Sequence, residues 1–330
     1  MAEIGTPFVG IGAMRAGTSW LSQVLDSRDD CRMTTVKELH FFDLRYGQYS
    51  GKTYYRALAR SLRSRSKILN NRMQKVLDRL DTETGHDPRT DDEEGTALRG
   101  GPKGWSDQKR AQLLARGRLS DLLPKIPKTV DVFFLRDLKS YAEYVKSEAL
   151  GAAAFGEITP AYSLLPAAAF AEIDQALPGA HFIFIMRDPV ERLWSQERFR
   201  TGLAAKRRER QLDPGECFDK ALRNRGAIGR SDYHRTITEL ESVIPKDRIL
   251  YFFYETMTSR ETGPAEIRRL EDGLGLQRAN IPPGLFDQPV NASPPATLTR
   301  ERETAALDLF RPVYDFVEKR FGRQVGWRSA

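Results

Sequence analysis

The chain has 330 residues, 40% of them hydrophobic, and its 52 Lys and Arg against 45 Asp and Glu leave a formal net charge of +7. That composition supports a real core and excludes a disordered chain. The positive balance suggests anionic ligands, although a basic soluble surface accounts for it equally well and nucleic acid does not follow from it.

Two distant cysteines, Cys31 and Cys217, make neither a disulfide framework nor a zinc spacing. No apolar run approaches the ~20 residues of a membrane span. The opening MAEIGTPFVG carries acid early and has no basic-then-apolar leader, so a cytoplasmic location is expected.

In chain order, residues 7–12 read as a buried strand and 17–27 as a helix, joined by a glycine-bearing loop within FVGIGAMRAGTSWL. Backbone N–H groups at such a helix start point at an anion, and glycine lets the backbone approach it. Gly12 and Gly17 have P-loop spacing, but the Lys that should follow Gly17 is missing. Thr18 and Ser19 stand there instead, and Arg15 is the only cation in the loop. A phosphate-like group is expected, but not the β/γ end of a nucleoside triphosphate.

TTVKELHFFD (34–43) reads as a short strand running into a turn. Residues 52–80 have helical spacing rich in Arg, Lys and Leu, 81–108 form a polar loop or insertion, and 109–123 and 137–148 read as helices flanking VDVFFL (130–135). AFGEITPAYSLLP (154–166) gives a short strand ending at Glu157, followed by an alanine-rich helix over 167–177. HFIFIM (181–186) is apolar throughout, the mark of a strand covered on both faces. Asp188 and Pro189 then take the N-cap and first position of a helix that runs into the basic stretch 198–210.

A helix over 231–243, a buried strand with its exit over 248–257, a proline-bearing loop over 282–297 and an amphipathic helix over 301–322 complete the chain. The alternation predicts an α/β fold: three layers, P-loop-like, with a central parallel sheet flanked by helices. The domain expectation is one domain over 1–330 with a helical or loop insertion around 52–128.

Ligands of such sheets bind at the carboxyl ends of strands. The first loop, KELHFFD (37–43) and RDPVERLWS (187–195) all fall there. Together with GEITPAYS (156–163) and the run from Asp232 to Met257, they resemble the sulfotransferases that use 3′-phosphoadenosine 5′-phosphosulfate (PAPS). The nearest likeness is to the branch that sulfates heparan-type glycans and to its bacterial relatives.

The resemblance implies PAPS as donor, adenosine 3′,5′-bisphosphate as product, no metal, and a small-molecule or glycan acceptor. It assigns Arg15, Ala16, Gly17, Thr18, Ser19 and Trp20 to the 5′-phosphosulfate, Arg187 and Ser195 to the 3′-phosphate, and Tyr233 to the nucleotide. The family more often has Lys where Arg15 stands. Arg is effectively always charged, so Arg15 is assigned to stabilising the leaving group rather than to proton transfer.

Glu38 and His40 compete for general base, with Glu38 matching the family's base; an extended segment would put both on one face. Lys37, Asp43, Glu157 and Tyr162 match the acceptor side. Two departures stand out. Ile158 replaces the glycan branch's Lys, and the family's C-terminal Lys-Gly-Arg loop is absent, with Asn291, Ser293 and Arg300 in the comparable place as candidates for donor contacts.

Blander readings stand beside these: Asp188 as a cap only, Arg192 and Arg198 as solvated helix charges, His40 as a satisfied structural histidine, and Glu38 in an ion pair with Lys37 or Arg15. A P-loop kinase or NTPase is the first alternative. It lacks the Lys after Gly17 and a strand ending in a magnesium-binding Asp. A non-catalytic anion or nucleic-acid binder is the second, and no zinc spacing, RNA-binding aromatic run or recognition helix supports it.

Overall fold

The computed structural model describes residues 5–47, 135, 137–147, 149, 151–206, 211–281, 283–287, 290–323 and 326–328. The expectations for 52–80, 81–108, 109–123 and the proposed insertion at 52–128 lie outside these residues. The chain divides into two compact units, residues 1–33 with 149–330 and residues 34–148.

In the first unit, five strands form a wholly parallel sheet of order β2-β3-β1-β4-β5. They are β1 (Thr6–Gly12), β2 (Cys31–Met33), β3 (Ala154–Ile158), β4 (His181–Met186) and β5 (Ile249–Phe253). In the central pair β1 and β4, Phe8, Val9, Ile11, Phe182, Ile183 and Phe184 are fully buried. Each such side chain removed from water contributes about 1.5–3 kcal/mol.

Parallel strands need crossovers, and helices supply them. Between β1 and β2 lies α1 (Thr18–Asp26), between β3 and β4 lies α4 (Ala167–Ala176), and between β4 and β5 lie α5 (Pro189–Lys206), α6 (Pro214–Ala221), α7 (Arg225–Gly229) and α8 (Tyr233–Glu241); α9 (Tyr254–Met257), α10 (Gly263–Leu274) and α11 (Arg300–Phe321) follow β5. The second unit holds α2 (Phe41–Arg45) and α3 (Leu138–Ser147).

The sequence motifs explain the boundaries. Asp188 Oδ1 accepts from Glu191 N at 2.9 Å and Pro189 takes the first helical position, so α5 starts where the cap places it. Phe310, Val313, Tyr314 and Val317 give α11 its buried stripe against α5 and α8. In the second unit, Tyr141 of α3 stacks on Phe41 with centroids 5.0 Å apart and meets Phe42 edge-on at 4.9 Å. Among the described residues, no helix is long and apolar enough to cross a membrane.

Two expectations are corrected. Residues 34–43 are not a strand: β2 ends at Met33, and the chain then passes through left-handed turns at Glu38 (φ 59°) and His40 (φ 54°) before α2. Arg192 is not a solvated charge but fully buried, donating to Ser231 Oγ, to Ala227 O at 2.9 Å and to Gln196 Oε1 at 2.9 Å. A buried guanidinium keeps its place only when its donors are met, and α5 and the α7–α8 connection meet them.

Candidate active site

The carboxyl ends of the adjacent strands β1 and β4 deliver Arg15 and Arg187. After β1 the chain turns sharply: Ala13 N donates to Ile185 O at 2.7 Å, and Ala16 N to Ala13 O at 3.1 Å. Gly17 ends the turn at φ +86°, where a Cβ would stand 2.8 Å from Tyr254 Cδ2, so both conformation and space call for glycine. Helix α1 follows directly and aims its first amides into the loop, the arrangement that favours an anion.

Arg15 itself is left-handed at φ 68°. Its Nε and Nη2 each lie 3.2 Å from Ser195 Oγ, and Nη2 also donates to Ser293 Oγ at 2.8 Å and to Asn291 O at 2.9 Å. The guanidinium rests 4.3 Å from the Phe199 ring centre. Burial, then the nearby Arg187 and Arg198 cations, pull its pKa down to about 10, so it stays charged at neutral pH.

Arg187 Nη1 donates to Arg15 O at 3.0 Å, its guanidinium lies 4.4 Å from the Tyr254 ring centre, and Glu191 stands 3.6 Å away. Its Nε is buried with no hydrogen-bond partner among the described residues. Tyr233 OH donates to Arg187 O at 2.6 Å and accepts from Arg187 N at 3.3 Å, so this tyrosine clamps the backbone of Arg187 through the two peptide groups that flank its Cα.

Of the residues expected to hold a nucleotide, Arg15, Arg187 and Ser195 therefore converge. Ser19 Oγ accepts from Asn291 Nδ2 at 3.1 Å at the same loop. Thr18 is buried at the start of α1. Ala16, Trp20 and Tyr233 are buried, with Trp20 Nε1 donating to Leu285 O at 3.1 Å.

Glu157 and Tyr162, expected to face an acceptor, are both fully buried. Thr159 Oγ1 donates to Glu157 Oε2 at 2.6 Å and Tyr162 OH to Oε1 at 3.0 Å, which makes the pair an internal brace at the end of β3. A carboxylate without solvent needs such donors.

The second unit carries Lys37, Glu38, His40 and Asp43. His40 is buried between two carboxylates: Nδ1 is 2.7 Å from Asp43 Oδ2 and Nε2 is 3.5 Å from Glu38 Oε2. Burial disfavours the imidazolium, but the hydrogen bonds and charges of Asp43 and Glu38 outweigh it and raise the pKa to about 10. Asp43 is fully buried, and its Oδ1 has no hydrogen-bond partner among the described residues. The Glu38 side chain keeps 39% exposure, enough for an incoming group to reach it. Lys37 is half-buried.

A model of the sulfotransferase family matches residues 7–280. The chain belongs to that family. Among solved structures, a crystal structure of a sulfotransferase from Alicyclobacillus acidocaldarius is similar at 15% identity and TM-score 0.57, over 98% of this chain and 98% of that one, and shows the same fold. The sulfotransferase domain of the Synechococcus PCC 7002 olefin synthase aligns at 15% identity and TM-score 0.43, over 93% of this chain and 96% of that one. No curated protein matches the chain.

This sulfotransferase spends its backbone strain selectively. Among the described residues, the non-glycine residues with positive φ are Arg15, Glu38, His40 and Asn291. Each costs on the order of 1–3 kcal/mol relative to a relaxed backbone, and such outliers concentrate where function requires them. Two lie in each unit: Arg15 with its partner Asn291, and Glu38 with its partner His40.

The loop residues Asn291 and Ser293 entered the sequence reading as candidates for donor contacts, without their bonds to Arg15. Phe199 and Tyr254, the rings beneath the two arginines, were not anticipated. A ring one residue after Arg198, or just past a buried strand, looks like any core aromatic until the tertiary fold brings a cation over it.

Proposed function

We propose that the protein transfers a sulfuryl group from PAPS to an acceptor hydroxyl, on a carbohydrate or a small alcohol, by in-line displacement. The observation that carries this reading is the convergence of Arg15, Arg187 and Ser195 at the ends of β1 and β4, beside the amino terminus of α1. The donor set is cationic and forked, suited to phosphate and sulfate oxygens. The orphaned Nε of Arg187 leaves a charged donor for an anion to satisfy.

In this reading Arg187 and Ser195 hold the 3′-phosphate, while Arg15 and the amides of residues 17–19 hold the phosphosulfate. Glu38 accepts the acceptor's proton as the hydroxyl oxygen bonds to sulfur. The bond from sulfur to the bridging oxygen breaks, and Arg15 stabilises the charge that the departing phosphate gains. In this reading His40, whose pKa the two carboxylates raise to about 10, orients Glu38 and balances its charge rather than acting as the base. Positioning and electrostatics carry the rate, as in phosphoryl transfer.

The test is a binding comparison followed by a transfer assay. Adenosine 3′,5′-bisphosphate should bind, and magnesium ATP should not. Sulfate from labelled PAPS should then appear on members of a panel of sugars and small alcohols. Preference for magnesium ATP would return the chain to the kinase reading.

A further inference from the structure

We infer that Arg198 is a further donor-binding residue, which supplies a second guanidinium to the 3′-phosphate beside Arg187 and Ser195. This rests on the PAPS reading above and adds to it a residue that the sequence motifs left among the solvated charges.

Arg198 lies on α5, three residues after Ser195, and so on the same helical face. Its stem is half-buried and its guanidinium carbon is 5.7 Å from the Trp194 ring centre. Among the described residues it makes no ion pair. Its one side-chain hydrogen bond runs from Nη1 to the carbonyl of Pro294, at 3.3 Å, and its Nε is buried with no partner. A charged group withdrawn from water in this way is costly unless an anion meets it.

Arg198 also belongs to a group. Its charge bears on Arg15, and Arg187 bears on both Arg15 and Arg198. Burial and this mutual repulsion depress the pKa values of Arg15 and Arg198. The carboxylate that ion-pairs here is Glu191, 3.6 Å from Arg187 and already shared with Arg328, while Glu255 bears on Arg187 without an ion pair. Among the described residues, three guanidiniums set against one divided ion pair and the charge of Glu255 form a site short of negative charge. A ligand with several phosphate or sulfate groups corrects that shortage, and a singly charged one does so only in part.

The neutral partners point the same way. Arg15 is held by Ser195, Ser293 and the Asn291 carbonyl, and Arg198 by the Pro294 carbonyl. Uncharged oxygens make weaker bonds to guanidinium than phosphate oxygens do, so an incoming anion can exchange with them.

The experiment titrates the full chain with adenosine 3′,5′-bisphosphate and with adenosine 5′-phosphate, comparing the unaltered protein with Arg198→Met and Arg198→Lys. Met preserves the apolar stem against Trp194, and Lys preserves the charge. The expected result is a loss of about tenfold or more for the bisphosphate in Arg198→Met, less than about twofold for the 5′-phosphate, and partial recovery in Arg198→Lys. Equal losses for both nucleotides would assign Arg198 to holding Pro294 and overturn the inference, as would unchanged bisphosphate affinity. Failure of the unaltered protein to bind the bisphosphate would instead strike the PAPS reading itself. A melting curve for each variant separates lost binding from lost folding.

Discussion

The imidazole Nδ1 of His40 stands 2.7 Å from Asp43 Oδ2, with His40 at the cap position of α2 and Asp43 in its first turn. The short helix thus serves to hold a carboxylate against a ring whose other nitrogen faces Glu38 at 3.5 Å. In the proposed mechanism Glu38 must be ionised and aimed, and this arrangement contributes to both.

The first prediction is a titration. The pKa of His40 is raised in the fold to about 10, from an ordinary value of 6.5. A raised pKa stabilises the fold fully below the unfolded value, and the contribution disappears as pH climbs toward the folded one. The His40 ring resonances should therefore stay unchanged from about pH 6 to 8 and move near pH 10. Asp43→Asn should be markedly less stable than the parent near pH 6, and the gap should narrow by about pH 10.5. A ring that titrates near 6.5 would remove the argument against His40 as base.

Glu38→Gln keeps the shape and removes the proton acceptor. Turnover should fall by about 10²–10⁴ while adenosine 3′,5′-bisphosphate affinity stays within about twofold. If His40→Ala shows that pattern and Glu38→Gln does not, the roles are reversed.

Tyr233→Phe removes one hydroxyl and leaves the ring. The Arg187 carbonyl loses its 2.6 Å donor and the Arg187 N–H loses its acceptor. Leaving such groups unmet costs about 1–3 kcal/mol. The melting temperature should drop by several degrees, and bisphosphate binding should weaken more than 5′-phosphate binding, because the peptide that carries Arg187 is no longer fixed. Undiminished selectivity for the bisphosphate would show that the clamp is not needed for the grip.

Gly17→Ala tests the cradle. The added Cβ meets Tyr254 at 2.8 Å in a backbone conformation that disfavours side chains. The left-handed conformation alone costs about 1–2 kcal/mol. Adding Tyr254→Ala should relieve the clash but not the backbone strain, so the double variant should recover only part of the lost stability. Full recovery in a calorimetric melt would locate the whole penalty in the ring contact.

Much of the sheet was legible because its signals are local. HFIFIM and the run into Phe253 declare buried strands by composition, and Asp188-Pro189 declares a helix start by capping chemistry. The misread strand at 34–43 shows the limit. Val36, Leu39, Phe41 and Phe42 are buried, yet the path between them turns at Glu38 and His40, where no glycine or proline marks it. Arg192 was misread because its acceptors, Ser231 Oγ and Ala227 O, come from another helix connection. At the site, Arg15, Arg187 and Ser195 could be found from motifs, whereas Asn291 and Ser293 reach Arg15 from the far end of the chain and only folding reveals them.

The four left-handed side chains set two demands against each other. Glycine at position 15, 38, 40 or 291 would relax the backbone there. At 15 and 40 the same change would strip away the hydrogen bonds to Ser195, Ser293 and Asp43, so what each side chain holds offsets the conformation that carries it.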